Sequence, residues 1–135
     1  MNITVEEQAK NAIQWIDTLP NYKQADYDDR RELGCAKVGY CCLGAGCVEL
    51  GVTFERKDGV SKIFQNKVGL MNTKGKLYGD GVFNLFYGKS DLTNINDYTH
   101  AGFKRIEKLL RTKPHWMFTP EVADLITEHY NEETK

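Results

Sequence analysis

Apolar residues recur at helical spacing near both ends of the chain, and between these ends they fall into short runs. Val5, Ala9, Ala12, Ile13, Ile16 and Leu19 share one helical face, which predicts a first amphipathic helix. Thr4 followed by Glu7 has capping-box spacing, in which hydroxyl and carboxylate each satisfy an orphan amide, and Pro20 stops the run. At the other end Thr119 is placed to cap a helix with Pro120 at its first position, and Val122, Leu125, Ile126 and Tyr130 form its apolar stripe. Before it, a helix capped by Thr99 is expected to bury Phe103, Ile106, Leu109 and Leu110. The tail from Asn131 is polar and is expected to fray.

The middle of the chain reads as shorter pieces. Val38 to Cys41 is β-like, and Cys42 to Leu50 predicts a short helix with Leu43, Cys47 and Leu50 on one side and Gly51 past its end. Val52 to Arg56 reads as a strand before the Lys57 to Gly59 turn. Ser61 can cap a helix of one to two turns that buries Ile63, Phe64 and Val68 and stops at Gly69. Leu77 and Tyr78, a Gly79-Asp80-Gly81 turn and Val82 to Tyr87 suggest a hairpin. Ser90 or Asp91 opens a helical segment holding Leu92 and Ile95. The resulting expectation is an α+β fold: one compact domain over 1–135, with four or five helices packed on a small antiparallel β-sheet or hairpin. Residues 21–34 form an acidic loop within it, and 111–135 form a C-terminal helical extension.

Composition narrows the classes. A 135-residue chain with 41% hydrophobic and 27% charged residues can bury a core without staples. A net charge of -1 and a pI near 6.3 leave no bulk electrostatic footprint for nucleic acid. The nearest approach is Lys104, Arg105, Lys108, Arg111 and Lys113, of which the first four would line one helical face and read as solvated. No run of about 18 apolar residues predicts a membrane span. "MNITVEEQAK" lacks the apolar core of a secretory signal, so a cytoplasmic protein without a membrane partner is expected.

The stretch "YCCLGAGC", Tyr40 to Cys47, holds three of the four cysteines. With Cys35 the spacing is C-x5-C-C-x4-C, which no zinc knuckle or ribbon uses, and His100, His115 and His129 form no close pair. No metal or other cofactor is expected. Cys41 or Cys42 at a strand-to-helix junction has the setting of an activated thiolate, with His100 beside Asp97 as the available base. The competing reading, a cysteine helix buried in the core, is the simpler one. Gly44-Ala45-Gly46 lacks the third glycine and the lysine of a phosphate loop and reads as close helix packing. Asp26, Asp28 and Asp29 lack the glycine and closing glutamate of a calcium loop. Asn96-Asp97 suits either ligand binding or the organisation of a helix-ending turn.

Taken in order, Trp15 to Leu19, Tyr22-Lys23-Gln24, "YCCLGAGCVEL", "NKVGL" and "LTNINDYTHAGFKRIEKLL" resemble a family of small uncharacterised bacteriophage and prophage proteins. That family pairs an aromatic-Cys-Cys-Leu-Gly stretch with a Leu-Asn-Asp turn. The likeness runs from about Trp15 to Leu110. Ile95 stands where the family has leucine, Gly46 where it more often has an apolar residue, and Arg111 to Lys135 has no counterpart. The resemblance implies a phage-encoded accessory protein of the host cytoplasm. It would bind and neutralise a host factor, in counter-defence or host takeover, without catalysis. Two alternatives remain open: a sponge for a nucleotide immune signal, in a cleft between the cysteine helix and Asn96-Asp97, and a thiol-dependent enzyme using Cys41 or Cys42. Candidate ligand-binding residues are Tyr40, Cys41, Cys42, Asn96 and Asp97. "HWMF" concentrates Trp116, Met117 and Phe118 in a short connection, either as a lid on the core or as an interface for a partner or a second copy.

Overall fold

The computed structural model describes residues 3–22, 34–35, 39–40, 42–52, 62–73, 75–79, 92 and 102–133. Helix α1, Val5–Thr18, starts where expected: Thr4 accepts from the Glu7 N–H through its hydroxyl at 3.1 Å. A 3₁₀ turn over Leu19–Asn21 carries Pro20 and ends it. Helices α2 (Cys42–Glu49), α3 (Lys62–Val68), α4 (Phe103–Thr112) and α5 (Pro120–Glu133) follow, and α1 packs against each of them.

Two glycines close helices by the same device. Gly51 follows α2 with φ +70, and the N–H of Val52 reaches back to the Cys47 carbonyl at 2.8 Å. Gly69 follows α3 with φ +75, and the N–H of Leu70 reaches the Gln65 carbonyl at 3.1 Å. Both are Schellman closures, which need a residue that tolerates the left-handed region. The last carbonyls of α3 are satisfied from α1: Gln8 donates to the Asn66 carbonyl at 2.7 Å and Asn11 to the Lys67 carbonyl at 3.0 Å. Polar residues at the edge of α1 thus fix where α3 ends against it.

The centre of the core is Trp15. Its indole N–H donates to the Cys42 carbonyl at 2.9 Å, and its ring meets Phe64 of α3 edge-on at a centroid distance of 5.1 Å. Phe118 lies 6.2 Å away in the same edge-on manner. Gly46 lies one helical turn beyond Cys42 on the same face of α2. A Cβ there would stand 2.5 Å from Phe64 Cζ and 2.8 Å from Trp15 Cδ1. The bare backbone at Gly46 is what lets both rings lie against α2, as the close-packing reading of these glycines anticipates.

The α+β expectation is corrected. Among the described residues the fold is helical, and no sheet forms a packing layer. Among the described residues extended pairing amounts to a two-residue ladder, Gly34–Cys35 with Gly39–Tyr40, a bridge between Leu70 and Phe118, and a single bridge position at Lys76. Backbone groups of Gly69, Met71 and Tyr78, the last expected to open a hairpin, bond to the chain before α5. Met71 donates to the Met117 carbonyl at 2.9 Å, Tyr78 to the Trp116 carbonyl at 2.9 Å, and Thr119 donates to the Gly69 carbonyl at 2.7 Å. Short apolar runs do not reveal by periodicity which partner they will take.

Three smaller expectations also change. Ile63 is 62% exposed, so α3 buries only Phe64 and Val68. Gly102, not Thr99, holds the N-cap position of α4, without a side-chain cap. The helix α5 runs on to Glu133, past the predicted fraying point at Asn131. Leu92 is helical, as expected of its segment, and it is buried. The second hairpin strand at Val82 to Tyr87, Thr53 to Arg56 and most of the acidic loop lie outside the described residues.

Gly46→Ala is expected to lower stability by roughly 1–3 kcal/mol, because the added methyl overpacks a site with no room for it. Phe64→Leu in the same chain should recover part of that loss, since the two positions are in contact. Urea unfolding of both variants checks this, and additive losses would contradict the packing assigned to Gly46.

Candidate functional site

The sequence-predicted ligand residues separate in the structure. Tyr40 pairs with Gly34 in the short ladder. Cys41, Asn96 and Asp97, with His100, lie outside the described residues. Cys42 is the first residue of α2 and fully buried, and its thiol lies 3.8 Å from the Leu92 carbonyl. Leu92 in turn donates its N–H to the Gly75 carbonyl at 3.0 Å. Gly75 has φ +70, and a Cβ on it would meet Leu92 Cδ1 at 2.7 Å. The start of the segment that carries Asn96 and Asp97 is therefore packed onto the start of the cysteine helix. Cys47 is also fully buried. Thiols shut off from solvent in the core react slowly, so neither is placed to act as a nucleophile.

Among the described residues no three His, Cys, Asp or Glu side chains are grouped as metal ligands would be. His115 Nε2 lies 2.7 Å from Asp124 Oδ1 at the surface. Glu49 at the end of α2 accepts from Gln14 at 2.7 Å and from the Tyr22 hydroxyl at 2.8 Å. These two hydrogen bonds, the one from Gln14 first, hold its carboxyl below the ordinary value. They tie α2 to α1 and to the residue after the 3₁₀ turn, a structural role.

The "HWMF" connection divides in two. Met117 and Phe118 are fully buried and belong to the core, so they offer no surface to a partner. Trp116 is half-buried, with its indole laid directly against the Gly79 backbone and Lys113 Nζ 5.7 Å from its ring. Tyr78 is 55% exposed, with Lys76 Nζ 5.1 Å from its ring. The hydrogen bond from the Tyr78 N–H to the Trp116 carbonyl brings the two aromatic residues side by side. Each is a cation–π pair at a solvent edge. Sequence reading counted Tyr78 as hairpin material. The outward position of Lys76 and Tyr78 was legible in their alternation with Leu77, which is buried.

Comparison of the chain with protein-family models, with curated proteins and with solved structures gives no match. None of the described helices is long and apolar enough to cross a membrane.

Burial predicts the behaviour of the thiols. Cys42 and Cys47 should react slowly with a thiol reagent in the folded protein and rapidly in denaturant, as followed by mass spectrometry of the labelled peptides. Cys47→Ser should cost roughly 1–3 kcal/mol by placing a hydroxyl where a thiol was buried. Fast native labelling of either residue would overturn the core assignment and return Cys42 to the list of chemical candidates.

Proposed function

We propose that the protein is a non-catalytic accessory protein that binds and neutralises a host factor, with a host protein as its target. The observation that carries this reading is the Tyr78–Trp116 edge. Tyr78 is more than half exposed, yet its backbone is held by the Trp116 carbonyl and its ring is attended by Lys76. Tyrosine and tryptophan present large area at little cost in conformational entropy and are enriched at binding hot spots. The burial of Cys42 supports the same reading by removing one of the two candidate nucleophiles. The resemblance to bacteriophage proteins supplies the setting, the host cytoplasm, and the purpose, counter-defence or host takeover.

The test is capture from a bacterial lysate on immobilised protein, with mass spectrometry of the proteins and of the small molecules retained. The native chain should hold one protein in near-stoichiometric amount. Tyr78→Ala with Trp116→Ala should lose it while stability falls by only about 1–2 kcal/mol, the part that follows from the buried half of the indole. Equal capture by both forms would contradict this edge as the binding surface. Retention of a nucleotide in place of a protein would replace the reading by that of a sponge.

A further inference from the structure

Helices α4 and α5 carry opposite charge on their outward faces. On α4, Lys104, Arg105, Lys108 and Arg111 stand against one carboxylate, Glu107, which lies 3.4 Å from Arg111. On α5, Glu121, Asp124, Glu128 and Glu132 stand with no lysine or arginine. The buried stripes are Phe103, Ile106, Leu109 and Leu110 on the first helix, and Val122, Ala123, Ile126 and Tyr130 on the second. Lys104, Lys108, Glu121, Glu128 and Glu132 therefore occupy the sides turned from the core, whereas Arg111 has its Nε enclosed. Lys104, Lys108, Glu121, Glu128 and Glu132 are all exposed, and among the described residues none of the five has an ion-pair partner.

The rows also match in pitch. Lys104 and Lys108 are four residues apart, as are Glu128 and Glu132. At a helical rise of about 1.5 Å this is a separation of ~6 Å along either helix. The two helices are neighbours in the fold, with the Arg111 guanidinium 5.9 Å from the Tyr130 ring.

We propose that these rows are the two halves of one self-complementary interface, in which α4 of one copy lies along α5 of a second copy of the chain. Charge complementarity favours this occupant over a foreign macroion. A polyanion drawn to α4 would meet the carboxylates of α5 beside it, and a polycation drawn to α5 would meet the lysines of α4. A second copy satisfies both rows at once. The net charge of -1 adds almost no long-range repulsion between copies. Exposed ion pairs are individually weak and are screened by salt, so the association is concentration-dependent and salt-sensitive. It uses a surface distinct from the Tyr78–Trp116 edge and does not depend on the function proposed above.

Sedimentation velocity of the full chain tests this at ~20 mM and ~500 mM salt, conditions that bracket the Debye length from above ~20 Å to below ~5 Å. The native chain should sediment as a reversible oligomer at low salt and as a monomer at high salt. Lys104→Glu with Lys108→Glu should be monomeric at low salt, and so should Glu128→Lys with Glu132→Lys. An equimolar mixture of these two variants should recover the oligomer, because each reversed row then faces a reversed partner. Lys10→Glu with Lys62→Glu changes net charge equally on other exposed positions and should leave the native association intact. Far-ultraviolet circular dichroism confirms that every variant remains folded. A native chain that is monomeric at low salt would overturn the proposal and leave the rows to a foreign partner. An oligomer insensitive to the reversals, or equally weakened by the Lys10 and Lys62 control, would overturn it as well.

Discussion

The indole of Trp15 is held at its N–H by the Cys42 carbonyl and at its face and edges by Phe64 and Phe118. Through this one side chain α1 is joined to α2, to α3 and to the connection that leads into α5. The geometry depends on Gly46. Its missing Cβ leaves room for the ring edge to lie across one turn of α2 and still bring its N–H within 2.9 Å of the Cys42 carbonyl. A side chain at that position would separate the rings from the helix, and the hydrogen bond would go with the packing.

With that contact in place, the rest of the described fold closes around α1. Gln8 and Asn11 meet the last carbonyls of α3, Glu49 is held by Gln14 and Tyr22, and the Tyr130 hydroxyl donates to Asp17 at 2.7 Å. All but the bond from Tyr22 come from the polar flanks of α1, while its apolar stripe supplies the core. Individually each is worth on the order of 1 kcal/mol. Their collective effect is to fix which face of each neighbour meets the central helix. The same closure brings the 114–119 connection against the Gly69 to Tyr78 segment, and this leaves Tyr78 and Trp116 at the surface while drawing Met117 and Phe118 inside.

Much of this was legible in local sequence, and what was not depended on tertiary partners. The cap at Thr4, the stop at Pro20, the short cysteine helix and the glycine closures at Gly51 and Gly69 all follow from rules that act within a few residues. The α+β class fails because a β-like run such as Leu77 and Tyr78 looks the same whether it joins a sheet or bonds to a loop. Ile63 was misplaced because a helix of seven residues gives too short a stripe to define its buried side. The Tyr78–Trp116 edge joins residues 38 positions apart, and no local rule connects them. The charge rows were half legible. The basic face of α4 was evident and read as solvated, whereas its relation to the acidic face of α5 needs the two helices seen as neighbours.

The central claim is that Trp15, seated on Gly46 and bonded to Cys42, organises the helical core. Urea unfolding of Trp15→Phe tests it most directly, since phenylalanine keeps an aromatic ring but removes the donor and part of the filled volume. The account predicts a loss of roughly 2–4 kcal/mol, combining one buried hydrogen bond with the cavity left behind. A change within about 0.5 kcal/mol, the range of an ordinary surface substitution, would contradict it.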